Sequence, residues 1–131
     1  MIKLPTFIPS KLEWKQAEMM KIYHNPRCRK SRETLAIIND SGANVKIIEY
    51  LKDTPSANDL SVILSKLNLK PEQVLRKGET LFKEEYQGKK LSDQAWIKAM
   101  VENPVLIERP IVVKGNKAII GRPPENVNSI L

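Results

Sequence analysis

The stretch Lys21-Ile22-Tyr23-His24-Asn25-Pro26-Arg27-Cys28-Arg29-Lys30-Ser31-Arg32 decides how this chain is read. Lys21-Ile22-Tyr23 is short and β-prone. His24-Asn25-Pro26 breaks it with a turn, because proline locks φ and pushes the residue before it out of helix. The spacing then predicts a helix from Cys28 or Arg29 to Asp40, with Leu35, Ile37 and Ile38 on its apolar face and Gly42 as its C-terminal stop. Val45 to Tyr50 reads as a second strand. Strand, helix and strand at this spacing predict a right-handed parallel crossover and an α/β fold.

Working outward, Ser56 with Asp59 resembles a capping box and opens a helix carrying Leu60, Ile63, Leu64 and Leu67 at helical spacing. Pro71 suits the first turn of a short helix running through Val74 and Leu75 to Arg76. Leu81 to Tyr86 predicts another turn, and Ser92 starts a helix through Trp96 and Met100. Ile111-Val112-Val113 and Lys117-Ala118-Ile119-Ile120 form a hairpin about Lys114-Gly115-Asn116, and Pro124 to Ile130 closes with a helical turn or two. Upstream, residues 1–19 hold early prolines and only weak amphipathicity, so they are expected to be a disordered extension. The folded domain is expected to span residues 20–131.

Composition narrows the function classes. The chain has 131 residues, 41% hydrophobic, with a formal net charge of +7 and one cysteine, which suits a single domain with a real core. One thiol excludes an internal disulfide and a four-cysteine zinc site. No stretch approaches the ~18 apolar residues of a membrane span, so no membrane partner is expected and the expected location is cytoplasmic. The basic excess invites nucleic acid. Its charges are dispersed, however, and aromatics are only 5%, so no base-stacking platform is supported and no nucleic-acid partner is expected. The tightest basic cluster, Arg27, Arg29, Lys30 and Arg32, brackets Cys28 and suits a small anion as readily as a duplex.

Cys28 follows a strand and starts a helix, where free backbone N–H groups and the helix dipole favour negative charge. An ordinary thiol is only ~3% thiolate at pH 7, so a downward pKa shift at such a position creates a nucleophile. The same N–H groups suit a tetrahedral oxyanion. A lone intracellular cysteine is more often an inert buried hydrophobe, but charged flanks at a loop-to-helix junction argue for reactivity here. Arg27, Arg29, Arg32 and His24 are expected to push the thiol pKa down. His24 reads equally as a turn residue, and Ser31 equally as a solvent-facing helix residue or a hydrogen-bond partner of the thiolate. Arg76, Arg109 and Arg122 each stand at an element end, where a planar fork of donors reaches across a cleft to an oxyanion.

His24-Asn25-Pro26-Arg27-Cys28, Ser31-Arg32, Leu75-Arg76-Lys77, the run from Asn103 to Val113, and Gly121-Arg122-Pro123 together resemble the glutathione/glutaredoxin-linked arsenate reductases of the ArsC family, in its YfgD-like branch. The resemblance spans Met20 to the C-terminus. It implies a thioredoxin-like fold with a helical insertion between Ser56 and Met100, and a cis Arg109-Pro110 bond. It implies Cys28 as the nucleophile, Arg76, Arg109 and Arg122 as the oxyanion-binding residues, and His24 and Ser31 as supports of the thiolate.

The implied reaction reduces arsenate to arsenite through a Cys28 thiol-arsenate adduct. With no second protein thiol, the reductant comes from outside: glutathione as co-substrate and glutaredoxin as partner, with no bound cofactor or metal. A monomer is expected. Two other readings stay open. Spx-type transcription regulators share this fold but typically carry Cys-x-x-Cys, where this chain has Cys-x-x-Ser. A thiol oxidoreductase of the same mechanism, acting on another substrate such as a glutathione mixed disulfide, is the second.

Overall fold

A computed structural model describes residues 19–131. The expected N-terminal extension therefore lies outside the described residues, but for Met19. The elements, in order, are β1 (Met20–His24), α1 (Arg29–Asp40), β2 (Val45–Glu49), α2 (Ala57–Leu67), a 3-10 turn (Pro71–Val74), α3 (Thr80–Glu85), α4 (Asp93–Glu102), a second 3-10 turn (Pro104–Leu106), β3 (Ile111–Lys114), β4 (Lys117–Ile120) and a closing 3-10 segment (Pro124–Ile130).

The four strands form one sheet in the order β2-β1-β3-β4. β1 runs parallel to β2 and antiparallel to β3, which is antiparallel to β4. The C-terminal ends of β1, β2 and β4 and the N-terminal end of β3 therefore fall on one edge of the sheet. Every segment that the sequence marks for chemistry except Arg76 begins or ends there.

Alternation along the strands makes both faces of the sheet apolar. Met20, Ile22 and Val112 point to one face and pack with Ile38 of α1 and with Val127 and Ile130 of the closing segment. Ile111 and Val113 point to the other, under Leu60, Ile63 and Leu64 of α2 and Trp96, Ala99 and Met100 of α4. Helices thus cover both faces of a mixed sheet, which is the thioredoxin-like arrangement with α2 to α4 as the insertion. Burying a residue such as Ile22, Val112 or Met100, each at 0% exposure, stabilises the fold by about 1.5–3 kcal/mol.

Local chemistry sets the boundaries. Gly42 adopts φ +80° just beyond α1, the left-handed backbone that glycine adopts at no steric cost. Ser56 and Ser92 cap α2 and α4, their hydroxyls accepting from the amides of Asp59 and Ala95. In the hairpin Gly115 takes φ +60°. One expected element is shorter than its pattern suggests. The helix from Pro71 stops at Val74, and Leu75 turns extended to bridge Ile107. The backbone there exchanges bonds with the second 3-10 region: Arg76 N donates to Leu106 O at 2.8 Å and Glu108 N to Val74 O at 2.7 Å. Arg76 is therefore held by a two-stranded clasp rather than at a helix end.

Candidate active site

Pro26 and Asn25 shape the loop that delivers Cys28. Asn25 Oδ1 accepts from Arg27 N at 3.0 Å, and Asn25 O accepts from Cys28 N at 2.9 Å. This double turn ends β1 and starts α1 within four residues, with Cys28 in the N-cap position and extended backbone (φ −93°, ψ 123°). No acidic residue stands in the first turn of α1, so the positive end of its dipole stays available.

Ser31 lies directly behind this loop at 0% exposure. Its Oγ accepts from Asn25 N at 3.1 Å and is 2.6 Å from His24 Nδ1. His24 and Ser31 are thus joined to each other, and the Ser31 hydroxyl braces the loop instead of touching the thiol. Burial lowers the His24 pKa, with Arg32 acting the same way and Glu49 opposing. The shift favours the neutral imidazole.

The thiol is only 8% exposed, more enclosed than a charged loop-to-helix junction suggests, because distant segments close over it. Burial pushes its pKa up, but a hydrogen bond and the charge of Arg109, the Ser31 amide and the charge of Arg122 together push it further down. The net shift is downward, toward thiolate. Arg122 Nη2 stands 3.6 Å from Sγ. The neighbouring cations expected from sequence, Arg27, Arg29 and Arg32, do not contribute: all three are exposed, Arg29 pairs with Glu33 and Arg32 donates to Pro26 O. The cations that matter arrive from the far end of the chain.

Their placement depends on residues that pattern reading missed. Glu108 Oε1 lies 3.2 Å from Arg76 Nη1, 2.9 Å from Arg122 Nε and 3.1 Å from Arg109 N. One carboxylate oxygen thus gathers the side chains of two arginines and the backbone of the third. Glu79 holds Arg76 from the other side at 3.2 Å, and Arg109 O accepts from Arg122 Nε at 2.8 Å. The only hint of Glu108 in the sequence is its position beside Arg109-Pro110. Gly121 is the second such residue: a Cβ there would clash with Thr34 Oγ1 and come within 2.8 Å of Pro110 Cγ. Its absence lets the first turns of α1 approach the end of β4, which brings Arg122 to Cys28. Both Arg109-Pro110 and Arg122-Pro123 are cis, the second unsuspected from sequence.

Five of the six residues singled out by sequence, His24, Cys28, Ser31, Arg109 and Arg122, converge at this edge of the sheet, and Arg76 joins them through Glu108. A shielded, low-pKa thiol at a helix N-terminus, flanked by fixed guanidinium groups, can attack an electrophilic centre whose oxygens those donors hold. Among the described residues no helix is long and apolar enough to cross a membrane.

The ArsC family model matches residues 23–130. The chain is 45% identical to YfgD of Escherichia coli K12, over 87% of this chain and 98% of that protein. It is 46% identical to an arsenate reductase of Haemophilus influenzae, over 84% of this chain and 97% of that protein. The structure of an arsenate reductase from Vibrio cholerae superposes with a TM-score of 0.83 at 46% identity, covering 87% of this chain and 98% of that one. With the family model covering nearly the whole described domain and the relatives matched along almost their full length, the chain belongs to the ArsC family.

Proposed function

We propose that this protein is an arsenate reductase that uses glutathione and glutaredoxin. The observation that carries the reading is the Cys28 thiol, its pKa lowered chiefly by Arg109, with Arg122 Nη2 at 3.6 Å. Arsenate reductases among the relatives, one of them 46% identical, favour arsenate as the oxyanion.

In the proposed reaction the α1 N-terminus and the guanidinium groups hold arsenate and neutralise its charge. Cys28 thiolate forms a sulfur–arsenic bond, and one arsenate oxygen leaves as water after taking up protons. A glutathione thiolate then attacks Cys28 Sγ. The sulfur–arsenic bonding pair passes to arsenic, which is reduced from As(V) to As(III) and leaves as arsenite. The resulting Cys28–glutathione disulfide is reduced by glutaredoxin, restoring the thiol. Arsenate thus takes two electrons from two external thiols, which suits a chain with a single cysteine.

A coupled assay with glutathione, glutaredoxin and arsenate tests this. Turnover is expected to require all three and to vanish in Cys28→Ser. Persistence of turnover in that variant would sink the mechanism, and turnover with glutathionylated peptides but not with arsenate would reassign the substrate.

A further inference from the structure

Two buried polar atoms at this edge of the sheet lack a hydrogen-bond partner among the described residues: the hydroxyl of Tyr50 and Nε of Arg109. Buried polar groups are nearly always paired, so two orphans side by side call for a physical account. Tyr50 is 1% exposed, and its ring packs among the apolar residues beneath the helical insertion. It directly follows Glu49, the register partner of His24, so β2 delivers it to the same edge to which β1 delivers Cys28. Burial pushes the phenol pKa up, against a hydrogen-bonding and charge interaction with the Arg109 guanidinium. The hydroxyl therefore remains a neutral donor. It lies close enough to interact with the Arg109 guanidinium, yet neither the hydroxyl nor Nε has a partner in good hydrogen-bond geometry among the described residues.

Two neighbouring donors without partners share one complement, an acceptor oxygen with several lone pairs. A tetrahedral oxyanion at Cys28 supplies such an oxygen; an apolar or cationic ligand does not. We propose that Tyr50 is a further oxyanion-binding residue, whose hydroxyl donates, with Nε of Arg109, to an oxygen of the arsenate that Cys28 attacks. The inference rests on the oxyanion reading of the site. A neutral donor in a water-poor position strengthens anion binding without adding another positive charge to a pocket that Glu108 already balances.

Tyr50→Phe removes only the hydroxyl. With arsenate as the probe, titrated against the protein by calorimetry, the variant is expected to bind roughly 10-fold more weakly, as for a lost hydrogen bond to a charged group. The melting temperature without arsenate is expected to stay the same or rise, because an orphaned polar group has been deleted. In ¹³C-tyrosine-labelled wild type, arsenate should shift the Tyr50 Cζ resonance, identified by its loss in Tyr50→Phe. Unchanged affinity in the variant, or a Tyr50 resonance indifferent to saturating arsenate, overturns the proposal while leaving the reductase reading intact. If the wild type binds no arsenate at all, that reading fails as well.

Discussion

Glu108 Oε1 lies 2.9 Å from Arg122 Nε, and the same oxygen holds Arg76 Nη1 at 3.2 Å. An acid inside an anion pocket acts in two opposing ways. It cancels part of the attraction for the ligand, and it fixes the arginines that supply the rest. Positioning is expected to dominate, since a donor fork displaced by ~1 Å loses most of its catalytic value. Glu108→Ala should therefore lower kcat/KM for arsenate roughly 10- to 100-fold, and Glu108→Gln by less, because its amide oxygen still accepts from Arg109 N. Tighter arsenate binding by Glu108→Ala would show that charge cancellation wins.

The thiol itself gives a direct readout. Alkylation of Cys28 by iodoacetamide across pH follows the thiolate fraction, and its midpoint is expected below that of an ordinary thiol. Arg109→Lys should raise that midpoint and weaken arsenate binding roughly 10-fold, because a point charge replaces a planar fork. An unchanged midpoint would assign the shift to the Ser31 amide and Arg122 instead.

Ser31→Ala separates bracing from thiolate support. Removing the hydroxyl leaves Asn25 N and His24 Nδ1 without their partner, which costs about 1–3 kcal/mol and is measurable by urea unfolding. The alkylation midpoint of Cys28 should move little, since Ser31 acts on the thiol through its backbone amide, which the substitution keeps. A large midpoint shift with unchanged stability would reverse this assignment.

His24 predicts an acid weakness. Its folded-state pKa lies below the ordinary imidazole value because of burial, so the unfolded chain binds the proton more readily. Its contribution to stability is thus complete above pH ~6.5 and is lost as pH falls through the folded value. The difference in melting temperature between pH 7.5 and 5 should be larger in wild type than in His24→Gln. Equal differences would place the acid-sensitive group elsewhere.

Gly121→Ala tests the approach of α1 to β4. The added Cβ meets Thr34 and Pro110, an overpacking expected to cost about 1–3 kcal/mol. Arsenate KM should rise with it as Arg122 moves. Wild-type stability would mean that Thr34 rotates freely out of the way.

Much of this was legible in the sequence because it was local. Pro26 and the run from Arg29 to Asp40 specify strand, turn and helix by themselves, and the hairpin around Gly115 does the same. The arginines were legible as candidates from their places at element ends and from the family resemblance, and the sheet topology brings Arg109 and Arg122 to Cys28. What escaped was pairwise and long-range. Glu108 is one acid among 15 acidic residues, and nothing in its neighbourhood reveals that it meets Arg76, 32 residues away. Tyr50 reads as the apolar end of a strand until its hydroxyl is seen beside Arg109. Arg29 and Arg32 misled for the complementary reason. Closeness in sequence to Cys28 suggested influence, but the pitch of α1 turns them outward, and only tertiary closure chooses the cations that face the sulfur.

That closure makes the sulfur a reporter on assembly. Cys28 owes its acidity to side chains on both flanks of the β3–β4 hairpin, Arg109 before β3 and Arg122 after β4. Any opening that lifts the hairpin from β1 takes both arginines away from the sulfur and moves its pKa back toward the ordinary thiol value. The pH midpoint of Cys28 alkylation would then report whether the two strands are docked, read from the only cysteine the chain possesses.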